Sequence, residues 1–164
     1  MILSQYQTLF EQGLREQRAG VVGLVLVRGD GRVFSQKRSP HRRLFPGCWD
    51  LVGGHVEPGE DLESALNREL YEETGWTITS LLGFRKLVDW ESMNKDGTLQ
   101  KKREFVFAVR PQGNLDRPRL ETDKVTQARW FGPNDLSLLL ENRLDKDRYV
   151  YELVSQELLL HTPL

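Results

Sequence analysis

Residues 53–76 read GGHVEPGEDLESALNRELYEETGW and contain the local signals that decide the surrounding fold. A turn comes first, because Glu57-Pro58-Gly59-Glu60 places proline where φ near −65° is needed and glycine where φ must be positive. Asp61 is a good N-cap residue, and Gly75 supplies the left-handed residue that ends many helices. The stretch therefore predicts a loop followed by a helix over Leu62–Thr74.

One face of this predicted helix is apolar at its start and acidic further along. Counted at about 100° per residue, a single broad sector holds Leu62, Ala65, Leu66, Glu69, Glu72 and Glu73. Carboxylates gathered on a partly buried face either take up protons or bind a hard divalent cation through oxygen. The alternative is a solvated charge run that Arg68 partly neutralises. Agreement between the turn, the cap and the helix end favours the metal site.

The spacing of these residues resembles the Nudix box, G-x5-E-x7-R-E-U-x-E-E-x-G-U, in which U is aliphatic. Gly54, Glu60 and the run Arg68-Glu69-Leu70-Tyr71-Glu72-Glu73-Thr74-Gly75 supply every fixed letter, and Trp76 at the last aliphatic position is the one departure. The resemblance implies a Nudix-type α/β (α+β) fold. This is an α/β/α sandwich with a mixed β-sheet and a catalytic loop-helix-loop that holds Mg²⁺ against a diphosphate.

The resemblance also implies roles for individual residues of the box. Glu72 and Glu73 would be metal ligands, and Glu69 would be a ligand or the residue that positions the attacking water. Glu60 would join the metal shell, and the backbone carbonyl of Gly53 would face the ion. The implied cofactor is Mg²⁺, with Mn²⁺ as a substitute.

Two more positions follow from the same resemblance. Arg68 would hold the glutamates by salt bridges, although a surface guanidinium without such a task is the alternative. Glu121-Thr122-Asp123-Lys124, ahead of Trp130-Phe131, resembles the E-x-x-K stretch before a W-[FV] strand in nucleotide-sanitising members. Glu121 is therefore the candidate for a further metal ligand and Asp123 the reserve, unless this is a solvated loop acid. Three other acids stay open, namely Asp89, Glu91 and Glu104.

Substrate-binding candidates lie outside the box. Arg38, Arg42 and Arg43 fall on a strand end and loop that should border the site, and a guanidinium fork suits phosphate oxygens. A solvated basic loop is the alternative for Arg42 and Arg43. Trp90 is a candidate to stack on a base, although aromatic residues in strands belong more often to the core, which also applies to Phe105, Phe107 and Trp130.

Composition excludes several other classes of protein. The 164 residues favour one domain over 1–164, and 23 basic against 24 acidic residues leave no positive field for a nucleic acid polymer. The single cysteine, Cys48, excludes an intrachain disulfide and a four-cysteine zinc site. No secretory signal pattern is present, and the apolar run Val21–Val27 is far shorter than the ~20 residues of a membrane helix. We therefore expect a cytoplasmic protein without a membrane partner.

Periodicity and turn residues outline the other elements around a Nudix-like core of about 20–142. An N-terminal helix is predicted over 3–18, and a hairpin is predicted between 20–27 and 32–38 across Gly29-Asp30-Gly31. Further strands are predicted over 49–52, 77–90, 104–110 and 125–131, and two closing helices over 134–142 and about 146–160. This mixed order indicates helices layered on a mixed sheet.

The resemblance implies a Mg²⁺-dependent hydrolase that cleaves a diphosphate linkage in a small nucleoside diphosphate derivative. We expect a pyrophosphohydrolase of nucleoside triphosphates, oxidised purine nucleotides included. ADP-ribose, nucleotide sugars and dinucleoside polyphosphates are alternatives, because the box recognises only the diphosphate and the metal. A homodimer is also expected by analogy with the family.

Two other classes of function compete with hydrolysis. A non-catalytic nucleotide-sensing Nudix domain usually loses box glutamates, and none is lost here. An isopentenyl-diphosphate isomerase resembles the approach to the box, PGCWDLVGGHVEPGE, but would place its catalytic cysteine within 52–54, whereas Cys48 comes earlier. Both classes are therefore disfavoured.

Overall fold

The computed structural model describes residues 3–161 and shows a seven-stranded mixed sheet with helices on both faces. In chain order the elements are α1 (Ser4–Arg15), β1 (Ala19–Val27), β2 (Val33–Arg38), β3 (Trp49–Asp50), β4 (Val52–His55), α2 (Leu62–Thr74), β5 (Thr77–Met93), β6 (Leu99–Gln112), β7 (Val125–Phe131), a short 3₁₀ helix (Leu136–Leu140) and α3 (Tyr149–His161). None of the helices within residues 3–161 is long and apolar enough to span a bilayer.

The strand β1 lies at the centre of the sheet. It pairs in parallel with β6 over its length, antiparallel with β4 between Val21 and Leu24, and antiparallel with β2 only at Leu26 and Val27. The other described strand pairs are antiparallel, so the predicted mixed sheet and the hairpin across the glycine turn are both confirmed. Because both faces of β1 are covered, it is almost continuously apolar rather than alternating.

Each face of the sheet has its own apolar core. Along β6, Phe105 and Phe107 face the helices α1 and α2, whereas Val106 and Ala108 face α3 and the 3₁₀ helix. Trp76, the departure from the box pattern, is 2% exposed and stacks on Trp130 in the first core. The bulky indole is therefore accommodated by packing just beyond the end of α2.

The loop and helix of the box have the predicted local structure. Asp61 caps α2 by accepting a 2.8 Å hydrogen bond from the backbone N–H of Ser64. Gly75 ends the helix with φ of 77°, and Gly59 occupies the turn with φ of 79°. The bounds of α2 are those predicted, since every boundary signal is local to this segment.

The long hairpin of β5 and β6 extends beyond its predicted limits of 77–90 and 104–110. The missed residues are mostly polar, but four of them are buried, namely Ser92, Lys102, Arg103 and Pro111. The Lys102 ammonium lies 4.3 Å from the ring centre of Trp90, and the Arg103 guanidinium holds Asp89 with bonds of 2.8 and 2.9 Å. Because these residues are polar, the sequence did not predict the first five residues of β6.

Several other boundaries also differ from prediction. The strand predicted over 49–52 divides into β3 and β4, and β4 continues through the two glycines to His55. The helix predicted over 134–142 is only a five-residue 3₁₀ helix, and α3 begins at Tyr149 rather than near 146. The first helix covers Ser4–Arg15 instead of 3–18, because Gln17 has φ of 60°.

A buried ion pair joins β5 to α3. The Arg85 guanidinium donates hydrogen bonds of 2.6 and 2.8 Å to the two carboxylate oxygens of Glu157, whose side chain is 1% exposed. His161 also lies 3.0 Å from Glu157. This pair fixes the last helix against the sheet, since a buried carboxylate without its partner would be costly.

Candidate active site

The acidic half of α2 packs against the glycine-bearing strand β4. Glu73 Oε2 accepts hydrogen bonds from the backbone N–H of Gly53 at 2.9 Å and from Gln36 Nε2 at 3.1 Å. A Cβ atom at Gly54 would overlap the Glu69 carboxylate, and one at Gly53 would overlap the backbone carbonyl of Val22. The two glycines therefore allow the helix carboxylates and the strand backbone to lie side by side.

Arg68 organises the carboxylates around it. Its Nε and Nη2 atoms donate to the two oxygens of Glu60 at 2.8 and 2.9 Å, and Nη1 donates to Glu69 at 2.8 Å and Glu72 at 3.2 Å. A further bond of 2.9 Å reaches the backbone carbonyl of His55. This hydrogen bonding lowers the pKa of Glu60 and raises that of Arg68. All donors of the guanidinium are thereby engaged.

Burial perturbs the two inner carboxylates. Desolvation raises the pKa of Glu73 to about 8, and the charges of Glu69, Glu121 and Asp50 add to the effect. Desolvation also raises the pKa of Glu69, partly offset by Arg68. A divalent cation would favour the ionised form of both groups, because it would supply positive charge that the neighbouring side chains do not fully provide.

The acidic sector is narrower than the helical count predicts. Glu69 and Glu73 turn towards β4, but the Glu72 side chain is 52% exposed and turns towards Arg68. Within residues 3–161, no three His, Cys, Asp or Glu side chains form a ready ligand set for a metal ion. The donors in the cluster are nevertheless carboxylate oxygens beside a strand backbone, which suits a hard cation such as Mg²⁺.

Among the candidate acids outside the box, Glu121 is the one whose charge acts on the box carboxylates. Its charge raises the pKa of both Glu69 and Glu73, and its own carboxylate pairs with Lys124 at 2.5 Å. The reserve candidate Asp123 is exposed. The three other acids that the sequence offered as metal ligands lie in different surroundings. Asp89 pairs with Arg103, Glu91 is exposed on β5, and Glu104 lines a cavity.

A cavity of about 430 Å³ adjoins the cluster and is large enough for a small ligand. Glu73, Gly53 and Gln36 line one end, and Glu104, Trp90 and Tyr149 line another part. The loop between β2 and β3 contributes Arg42, Leu44 and Phe45. The Glu73 carboxylate and the interior of the cavity therefore belong to one continuous site.

The structure separates the basic candidates. Arg38 and Arg42 both line the cavity, whereas Arg43 borders only an adjacent depression and donates to the backbone carbonyl of Met93. Arg38 Nε donates to the Leu44 carbonyl at 2.8 Å, and burial lowers the pKa of this guanidinium. Trp90 lines the cavity, whereas Phe105, Phe107 and Trp130 belong to the apolar core.

Several residues of the site have no sequence signal of their own. Gln36 is buried on β2, Asp50 lies on β3, and Tyr149 opens α3. Burial raises the pKa of Asp50, and Arg143 and Arg38 counteract this effect. These residues meet only through the sheet and the α3 packing, so their separate positions in the sequence do not predict the cavity.

Buried carboxylates beside a cavity can hold a divalent cation against a ligand, which is the arrangement that metal-ion catalysis needs. The family model described as the NUDIX domain matches residues 17–154. The chain belongs to the Nudix family, whose members generally use divalent metal ions.

Curated relatives match different lengths of the chain. It is 52% identical over 62 residues to the RNA pyrophosphohydrolase of Caulobacter vibrioides, covering 38% of this chain and 35% of that protein. It is 42% identical over 81 residues to an uncharacterised Nudix hydrolase of Nostoc, covering 46% and 47%. The chain thus spans less than half the length of these two relatives. It is 30% identical over 119 residues to the nucleoside triphosphatase NudI of Escherichia fergusonii, covering 68% and 81%.

Solved structures confirm the fold class. The MutT NUDIX hydrolase from Burkholderia pseudomallei superposes with a TM-score of 0.63 and 29% identity, over 84% of this chain and 98% of that one. A MutT protein from Methanosarcina mazei superposes with a TM-score of 0.62 over 85% and 94%. The α/β/α sandwich predicted from the box is therefore the fold of this chain.

Proposed function

We propose that this chain hydrolyses nucleoside triphosphates, oxidised purine nucleotides included, and releases pyrophosphate with Mg²⁺ as the cation. One observation carries the proposal: the Glu73 carboxylate lines a cavity together with Arg38 and Arg42, and the Glu69 carboxylate lies beside Gly54, which lines the same cavity. Carboxylates suit the cation, guanidinium groups suit phosphate oxygens, and the remaining volume suits a nucleoside.

The residues proposed to hold Mg²⁺ are Glu69, Glu72, Glu73, Glu60, Glu121 and the backbone carbonyl of Gly53. Magnesium is commonly bound by one or two carboxylates, with phosphate oxygens and water completing its shell, so these groups need not all be direct ligands. When bound, the cation would neutralise phosphate charge and favour attack on phosphorus. Arg68 would position the carboxylates, because its guanidinium already contacts three of them.

The other proposed roles concern water and substrate. Glu69 would orient or deprotonate the attacking water, while Arg38 and Arg42 would bind phosphate oxygens from the cavity wall. Trp90 would contact the nucleoside, since its side chain lines the same cavity. Arg43 lies outside that cavity and would reach only a longer substrate.

We expect Mg²⁺ to raise the melting temperature of the protein. Burial and the neighbouring carboxylates raise the pKa of Glu73, and a cation that binds only the folded state would relieve the repulsion between these carboxylates. At about 100 times the dissociation constant, binding adds about 2.7 kcal/mol to the free energy of unfolding. Differential scanning fluorimetry at increasing Mg²⁺, with KCl at matched ionic strength as the control, measures this shift. An unchanged melting temperature at saturating Mg²⁺ contradicts the proposed cation site.

Pyrophosphate and phosphate release from a substrate panel tests the proposed function. The panel contains canonical and oxidised nucleoside triphosphates, ADP-ribose, nucleotide sugars and dinucleoside polyphosphates, each with Mg²⁺ and with Mn²⁺. A 5′-triphosphorylated RNA belongs in it as the second candidate, because of the 52% identity over 62 residues to an RNA pyrophosphohydrolase. Pyrophosphate released from a nucleoside triphosphate supports the proposal. If only another compound is hydrolysed, that compound replaces nucleoside triphosphates as the proposed substrate. If no compound is hydrolysed, a non-catalytic nucleotide-binding domain is favoured.

The cytoplasmic location and the homodimer stay predictions. Size-exclusion chromatography with light scattering distinguishes a 19.0 kDa monomer from a dimer of twice that mass.

A further inference from the structure

We propose that Glu104 selects the base of the substrate by accepting two hydrogen bonds from adjacent N–H donors, as on a guanine-type base. This inference rests on the proposed hydrolysis of a nucleoside triphosphate and adds a preference for one base. It concerns the part of the cavity formed by β5, β6 and the start of α3, where the cluster of box carboxylates does not reach.

The position of Glu104 follows from the register of three strands. Glu104 on β6 pairs with Val21 on β1, and Gly23 on the same strand pairs with Gly53 on β4. A Cβ atom at Gly23 would lie only 3.1 Å from Glu104 Oε1. The Glu104 carboxylate therefore extends over β1, in the space left by the missing side chain of Gly23.

The metal end of the site and Glu104 line one cavity. β6 and β4 lie on opposite sides of β1, and Gly53 and Glu73 line the same cavity as Glu104. A nucleotide with its phosphates beside Gly53 and Glu73 would therefore direct its base towards the wall that Glu104 lines.

The surroundings of Glu104 leave its charge incompletely balanced. Burial and the charge of Asp50 raise its pKa to about 7, and Trp90 and Lys102 offset this only in part. The Lys102 ammonium lies over the Trp90 ring instead, 4.3 Å from its centre. A carboxyl group in such a position gains most from a ligand that brings hydrogen-bond donors.

Tyr149 supplies a complementary group. Its hydroxyl is buried without a hydrogen-bond partner in the described part of the chain. Burial raises the pKa of Tyr149, and the charges of Glu104 and Asp50 add to this, so the hydroxyl stays a donor. The cavity therefore offers the two carboxylate oxygens of Glu104 as acceptors and, nearby, the Tyr149 hydroxyl as a donor.

The arrangement of donors and acceptors favours one type of base. The pairing edge of guanine presents N1–H and an N2 amino group side by side, next to the O6 acceptor. A carboxylate accepts from both donors, and a hydroxyl donates to O6. Adenine and cytosine present an acceptor beside their amino group, and uracil presents acceptors on both sides of its N–H. These bases would each direct a lone pair at the carboxylate.

Calorimetric titration with GMP and IMP tests the proposal without depending on turnover. IMP lacks only the 2-amino group, so the wild-type protein should bind GMP about tenfold more tightly or better. Glu104→Gln should remove most of this preference, and the matched variant Glu91→Gln, on the exposed part of β5, should keep it. Tyr149→Phe should weaken both ligands alike and leave their ratio unchanged, because both carry O6.

Other outcomes overturn the proposal in separate ways. Equal affinity of the wild type for GMP and IMP, or an unchanged ratio in Glu104→Gln with intact circular dichroism, rules out base reading by Glu104. A preference for GMP over dGMP that disappears in Glu104→Gln assigns the carboxylate to the ribose instead. If no nucleoside triphosphate is hydrolysed while the Glu104-dependent preference for GMP persists, the proposed hydrolysis fails and the base site stands.

Discussion

The Glu73→Gln variant is expected to lose at least about three orders of magnitude in kcat, equivalent to about 4 kcal/mol of activation free energy. The substitution keeps the shape of a side chain that accepts hydrogen bonds from Gly53 and Gln36, but it removes the negative charge. A neutral amide binds a divalent cation far more weakly than a carboxylate. Steady-state pyrophosphate release at saturating Mg²⁺ measures the loss.

The same variant should be more stable than the wild type at pH 8 without a divalent cation. Burial raises the pKa of Glu73 from 4.5 to about 8, so the stability that its neutral form contributes declines as pH rises between these values. Glutamine stays neutral throughout this range. Thermal unfolding at pH 5 and pH 8 in EDTA should therefore show a smaller decline for Glu73→Gln.

A matched control separates this effect from a general change in α2. Glu63→Gln makes the same chemical change in the first turn of the helix, ten residues before Glu73, and should keep kcat within about twofold. Turnover of purified Glu73→Gln close to that of the wild type would refute the metal-ligand role. A variant that lost its circular dichroism spectrum would be replaced by Glu73→Asp, which keeps the charge and shifts its position.

The Arg68→Lys variant should lose about 2 kcal/mol of folding free energy and a large part of its activity. Lysine keeps the positive charge but offers three donors from one nitrogen, so it cannot reproduce the paired bonds to Glu60 together with those to Glu69 and Glu72. For a chain of this size the loss lowers the melting temperature by about 4–8 °C. We also expect kcat to fall by about tenfold or more, because Glu69 loses its fixed orientation.

Thermal unfolding and turnover of Arg32→Lys provide the control for this second variant. Arg32 is more than half exposed and only 3.9 Å from Asp30, so its replacement should change neither property measurably. Unchanged stability and activity in Arg68→Lys would contradict the proposal that Arg68 positions the carboxylates. Partial recovery of the melting temperature by Mg²⁺ in Arg68→Lys would instead show that repulsion between the carboxylates causes the loss.

The elements with local boundary signals were predictable from sequence. The helix α2 has its N-cap at Asp61 and its left-handed end at Gly75, and both signals lie within the segment that they bound. The start of β6 was not predictable in this way. Lys102 and Arg103 are buried because Trp90 and Asp89 lie opposite them on β5 and because α1 covers Arg103.

The site was predictable to a similar extent. The spacing of the box picked out Glu69, Glu73 and Arg68, whose contacts the structure now describes. Helical counting placed Glu72 in the same sector, but its side chain turns towards Arg68 and is exposed. The cavity wall was not predictable, because Gln36 and Tyr149 come together only through long-range packing.

The parallel pairing of β1 with β6 has a consequence for how the chain folds. Every pair in this ladder joins residues more than eighty positions apart, so a large loop must close before the centre of the sheet exists. Chains dominated by such contacts fold slowly. During synthesis, β1 and the whole of α2 emerge before β6 does, so the apolar faces of β1 stay exposed until β6 has been made. Chaperone protection of this early segment, rather than of the later one, would then limit aggregation.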